Sequence, residues 1–113
     1  MDVVLCLTTC PDRASARSLA RTLIEERLAA CVSVLPGVTS HYTWQGSLEE
    51  ADELQLFIKT TRTNLAALKA RLPELHLHGV PELIVLDVVD GLPAYLAWID
   101  AGVRAFGLSE AQE

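Results

Sequence analysis

His76 and His78 are separated by one residue, and Glu82 follows four positions later. In an extended segment, alternate side chains point to one side, about 6–7 Å apart along the chain. Rotamer changes can bring two such imidazoles to one Cu²⁺ or Zn²⁺, ions that favour imidazole, and a carboxylate can join them. Two histidines leave the coordination shell incomplete, so water, a thiolate or another subunit has to supply the rest. The competing reading is a polar loop with surface histidines. Cys10 is the thiol to weigh beside them. It precedes Pro11 at what reads as a strand-to-helix turn, where a helix N-terminus lowers a thiol pKa and soft copper finds a ligand. Cys6 lies four residues earlier, on the same strand face if the strand persists. C-x3-C without a second cysteine pair is a poor structural zinc signature, and Cys6 and Cys31 read as small buried hydrophobes.

Other charged residues offer less. Lys59, followed by Thr60 and Thr61, has the chemistry to hold an anion beside a helix N-terminus, or is simply an exposed strand-end lysine. The run Glu49-Glu50-Ala51-Asp52-Glu53 attracts cations weakly, but a strand scatters its carboxylates over both faces, so a solvated face is expected. It lacks the glycine-bearing acidic loop of a calcium site. No Ser/His/Asp set, phosphate-cradling glycine loop or carboxylate pair around a cleft suggests catalysis. If a cleft exists between subunits, Lys59, His76 and Glu82 are the polar groups expected at its wall.

These residues need elements to position them. Val3-Val4-Leu5-Cys6-Leu7 is a short apolar run that reads as a buried first strand. Asp12 fits a helix N-cap, and Ala16, Leu19, Ala20, Leu23, Ile24 and Leu28 then recur at helical spacing. A second strand begins at Cys31-Val32-Ser33-Val34-Leu35; Pro36-Gly37 predicts a bulge before it resumes at Val38. Val38 to Trp44 and Leu54 to Thr60 alternate around a Gln45-Gly46-Ser47 break, which predicts a long hairpin. Trp44 then sits near the hairpin tip, far from the core of a small domain, and points to an oligomer. Thr61 or Thr63 is expected to cap a second helix carrying Leu65, Leu68 and Leu72 and ended by Pro73. Leu83 to Val89 is the most apolar strand and is expected at the centre of the sheet. Pro93 starts a third helix with Tyr95, Leu96, Trp98, Ile99 and Val103 on its apolar face. The order β-α-β-β-α-β plus a terminal helix predicts an α+β, ferredoxin-like fold: an antiparallel sheet with both crossover helices on one face. The other face must meet the third helix or another subunit.

The 113 residues fit one domain, with half the residues hydrophobic but only 5% aromatic. A net charge of −6 argues against nucleic acid and against an anionic membrane surface. No apolar run approaches the ~20 residues of a membrane span, and no leader is evident, so a cytoplasmic protein is expected. Three cysteines do not make a disulfide framework.

Several segments together resemble the CutA divalent-cation tolerance proteins. They are Thr9-Cys10-Pro11-Asp12, Glu26-Arg27-Leu28-Ala29-Ala30-Cys31, Pro36-Gly37-Val38-Thr39-Ser40, Tyr42-x-Trp44-x-Gly46, Ile58-Lys59-Thr60-Thr61, Pro81-Glu82-Leu83 and Tyr95-Leu96-x-Trp98. The resemblance implies a ferredoxin-like homotrimer whose long strands seal sheet edges across subunits. It also implies tolerance to copper and other divalent cations, with no established catalytic activity; no cofactor is expected to be required, and copper or another divalent cation is the ion expected to bind. Two departures stand out. Gln45 and Ser47 flank the turn glycine where the family often has Glu and Lys, and His78 replaces a tyrosine of the family's His-Pro-Tyr segment. The alternatives on the same fold are a PII-like trimer that senses nucleotides or other small ligands, and an acylphosphatase. Against the second, Pro11-Asp12 would set a carboxylate beside the phosphate, with Arg13 next to it.

Overall fold

The computed structural model describes residues 2–76 and 79–104. Strand β1 (Val3–Cys10) leads to helix α1 (Arg13–Glu25), and the hairpin strands β2 (Cys31–Trp44) and β3 (Ser47–Thr61) follow. A short 3-10 turn precedes helix α2 (Leu65–Leu75), strand β4 (Ile84–Asp87) and helix α3 (Pro93–Gly102). The strands pair antiparallel in the order β2-β3-β1-β4, the expected ferredoxin-like topology.

Helix α1 starts and stops for local reasons. The Asp12 carboxylate accepts the Ser15 N–H at 2.7 Å, and that bond holds its carboxyl below the ordinary range. Arg27, at φ +59°, reverses the chain, so that Arg27 N–H donates to Ile24 and Leu28 N–H to Leu23 in a paired C-terminal cap. Leu19 and Leu23 of α1 and Leu65, Leu68 and Leu72 of α2 bury against Val4, Cys6, Leu56 and Ile58 of the sheet. Arg71 forks onto Glu26 with two 2.8 Å bonds and ties the two helices at the surface. Arg71 holds the Glu26 carboxyl below its ordinary range, so this contribution exists above that range and is lost as acid protonates Glu26.

Thr60 is fully buried, and its hydroxyl has no hydrogen-bond partner among the described residues. Thr60→Val keeps the shape and removes the stranded polar group. Urea denaturation is therefore expected to show unchanged or higher stability, by up to ~1 kcal/mol. A loss above that size would reveal a partner for the hydroxyl.

The hairpin turns through Gln45 (φ +50°) and Gly46 (φ +82°), a two-residue turn whose twist matches the flanking strands. The bulge falls where Pro36-Gly37 predicts it. Leu35 pairs with Gln55 but Val38 with Glu53, so β2 carries one residue more than β3 between those pairs. That extra residue inverts the alternation of β2: beyond it, Ser40, Tyr42 and Trp44 share the face of Glu53 and Gln55.

Four expectations need correction. β1 runs to Cys10 rather than ending at Leu7, because Thr8, Thr9 and Cys10 find partners in Leu56, Gln55 and Leu54. Neither Thr61 nor Thr63 caps α2. Asn64 holds that position, with its amide donating to the Arg27 and Val103 carbonyls, and Pro73 lies inside the helix. β4 covers only four residues and lies at the sheet edge, leaving Ile84 and Leu86 about half exposed. In α3 only Ile99 is buried; Trp98 is 53% exposed and stacks on Tyr95 at 5.7 Å. Ile84 and Leu86 of β4 and Tyr95 and Trp98 of α3 thus face outward in the single chain, while Val85 and Ile99 pack inward.

Candidate functional site

Three hydrogen bonds gather at the C-terminal end of β1, beyond the point where β4 stops pairing. The His76 Nε2–H is 2.7 Å from the Thr9 carbonyl, the Thr8 hydroxyl donates to the Glu82 carbonyl at 2.7 Å, and the Gln55 amide donates to the Thr8 carbonyl at 2.7 Å. A strand end left unpaired by a short neighbour needs such partners for its carbonyls. His76 therefore has a structural task that spacing did not reveal. It anchors the end of α2 to β1, and Thr8 fixes the far end of the following loop.

Two concavities meet at His76. One, of about 300 Å³, lies between α1 and the end of α2 and is lined by Cys10, Pro11, Ser15, Ser18, Leu75 and His76. The other, of about 620 Å³, runs between the hairpin and the loop before β4; its wall includes Thr9, Tyr42, Trp44, Glu53, His76 and Glu82. His76 thus shares one wall with Cys10 and another with Glu82. His78 lies outside the described residues. Among the described residues, no three His, Cys, Asp or Glu side chains converge to hold a metal ion.

Lys59 does not join this wall. It pairs with Leu5, three residues along β1 from Thr8, a separation of about 10 Å. Its ammonium donates to the Tyr95 hydroxyl at 3.1 Å, which raises its pKa. The shared cleft of Lys59, His76 and Glu82 is therefore corrected to a groove with His76 and Glu82 alone.

Cys10 also departs from expectation. Its position before α1 suggested an activated thiol, but it is only 2% exposed. Burial, reinforced by the Asp12 and Glu53 carboxylates, pushes its pKa up to about 11. Desolvation outweighs the helix N-terminus here. Cys6 is raised to about 11 by burial as well, while Cys31 is partly exposed. Alkylation of the native protein at pH 8 is expected to label Cys31 first, with Cys6 and Cys10 reacting only after denaturation. Peptide mass spectrometry reads the order, and early labelling of Cys10 would contradict its burial.

The spacing of ligand types drew attention to residues 76–82, and missed Tyr42, Trp44 and Glu53 as companions across the groove. The signal was present in the bulge and the turn, which fix the hairpin register. Reading it required pairing the two strands residue by residue.

The model of the CutA1 divalent ion tolerance protein family matches residues 4–102. The divalent-cation tolerance protein CutA of Pectobacterium atrosepticum is 46% identical over 103 residues, covering 91% of this chain and 94% of that protein. The crystal structure of CutA from Xylella fastidiosa is 47% identical with a TM-score of 0.89, over 92% of this chain and 100% of that one. The periplasmic divalent cation tolerance protein CutA from Archaeoglobus fulgidus is 29% identical with a TM-score of 0.87, over 90% of this chain and 99% of that one. These likenesses favour the cation-tolerance reading and give the PII-like alternative no support.

Proposed function

The chain belongs to the CutA1 divalent ion tolerance family, and from that premise we propose that it confers divalent-cation tolerance as a homotrimer that binds such ions weakly and reversibly, without catalysis. The family match along residues 4–102 is the observation that carries the reading. The proposed donors are His76, Glu82 and Cys10, together with His78 of the sequence motif, and copper is the divalent ion such donor types suit best. His76 flanks both concavities, so an ion can draw on the Glu82 side or, where Cys10 gives up its proton, on the thiol side. A subunit boundary supplies the donors one chain lacks. Exposed Leu35, Ile84, Leu86, Tyr42 and Trp44 support the trimer, since a single chain leaves this apolar surface and two sheet edges uncovered. No described helix is long and apolar enough to cross a membrane. The compartment we propose is the cytoplasm.

Calorimetric titration with Cu²⁺ under reducing conditions tests the donors. Wild type is expected to bind, with affinity falling as acid protonates histidine. The His76→Ala, His78→Ala double variant, checked by circular dichroism for an intact fold, is expected to lose at least about tenfold. Equal affinity in the two proteins would remove both histidines from the site. ATP, acyl phosphates and phosphate esters are expected to give neither binding heat nor turnover.

A further inference from the structure

Helix α1 carries Arg13, Arg17 and Arg21 at successive i,i+4 positions, and all three are exposed. Arg62, Arg71 and Arg104 each pair with a carboxylate, whereas the side chains of Arg13, Arg17 and Arg21 make no ion pair or hydrogen bond among the described residues. Like charges at this spacing destabilise a helix, and Arg13 stands in the first turn, at the positive end of the helix dipole. The fold gains nothing from this ridge and keeps it against a cost. Arg17 and Arg21 line a shallow concavity of about 400 Å³ together with Ser18, Thr22 and Glu25. Every lining residue belongs to α1, and none to the hairpin or the sheet, the surfaces assigned to the trimer.

The three arginines step about 6 Å at a time along α1 and span about 12 Å in all. Alternate side chains of an extended peptide recur every 6–7 Å or so, about the same step, so its carboxylates can meet the guanidiniums in turn, each by a forked pair of N–H···O bonds. The Ser18 and Thr22 hydroxyls offer further donors beside them, and Glu25 limits the anion-binding stretch at its C-terminal end. We infer that this ridge docks a short acidic segment of a partner protein, with carboxylates on alternate residues set against Arg13, Arg17 and Arg21. Nucleic acid fits less well. Duplex DNA carries a charge about every 1.7 Å, beyond the ridge as well as on it. No aromatic ring lines the concavity to stack a base, and outside the ridge the chain is more acidic than its net −6. A peptide that ends with the ridge avoids that repulsion. The inference stands apart from cation tolerance, since none of its residues is a proposed metal donor.

The probe is a fluorescein-labelled octaglutamate peptide, titrated with the assembled protein and followed by fluorescence anisotropy at constant, low ionic strength. Wild type is expected to bind it saturably. Affinity is expected to fall about tenfold or more when Arg17→Gln and Arg21→Gln are combined, and by less than about twofold in Lys69→Gln, which removes an exposed cation of α2. Urea denaturation of Arg17→Gln is expected to show stability equal to or above wild type, because one guanidinium fewer relieves the like-charge ridge. Absence of saturable binding would overturn the proposal, as would unchanged affinity in the arginine double variant. A thymidine octanucleotide bound as tightly as the peptide would give the ridge to nucleic acid instead, and a destabilised Arg17→Gln would give it to the fold; either result overturns the proposal. Copper calorimetry on the double variant is expected to match wild type, so the peptide site and the metal site are read separately.

Discussion

Leu56→Ala is expected to lower the free energy of unfolding by ~2–5 kcal/mol, and Leu68→Ala by a similar amount. Leu56 lies on β3, between β1 and β2, and Leu68 faces the sheet from α2; neither side chain has any exposed surface. Truncation removes transfer energy and leaves a void that β-pairing on both sides prevents from collapsing. Val89→Ala is the matched control, since Val89 is 94% exposed and is expected to change stability by less than about 0.5 kcal/mol. Urea denaturation at several protein concentrations reads all three and separates chain stability from assembly. Losses below about 1 kcal/mol at Leu56 and Leu68 would contradict the helix-on-sheet core.

Trp44→Ala is expected to weaken trimer assembly by ~2–4 kcal/mol per buried tryptophan. Trp44 stands beside the hairpin turn with half its surface open and shares its face with Tyr42, away from the core. Burying such a ring against a second chain gives it the role of an interface anchor. Light scattering at micromolar concentration is expected to give wild type three times the 12.3 kDa of the chain, with Trp44→Ala dissociating on dilution. A stable wild-type monomer would end the trimer proposal.

Much of the architecture was legible because local chemistry fixes it. Asp12 caps α1, the Pro36-Gly37 bulge sits where a missing donor and a positive φ demand it, and the element order fixes the sheet order. β4 was misplaced because apolarity on both sides normally marks a central strand, whereas here it marks an edge exposed by the single chain. Trp98 misled for the same reason: helical spacing told of an apolar stripe without saying what covers it. Cys10 could be placed before α1 from sequence, but its pKa depends on how tightly α1 and the end of α2 close over it. His76 was singled out as a ligand type, while its bond to Thr9 follows from where β4 stops pairing.

Growth of a bacterium lacking its own CutA1-family gene, in graded copper, tests the central claim most directly. Cells carrying this chain are expected to grow at copper concentrations that stop the vector control, and cells carrying the His76→Ala, His78→Ala variant at equal expression are expected to fall between the two. Growth identical to the vector control across the copper series, from cells that contain the folded wild-type protein, would contradict the account.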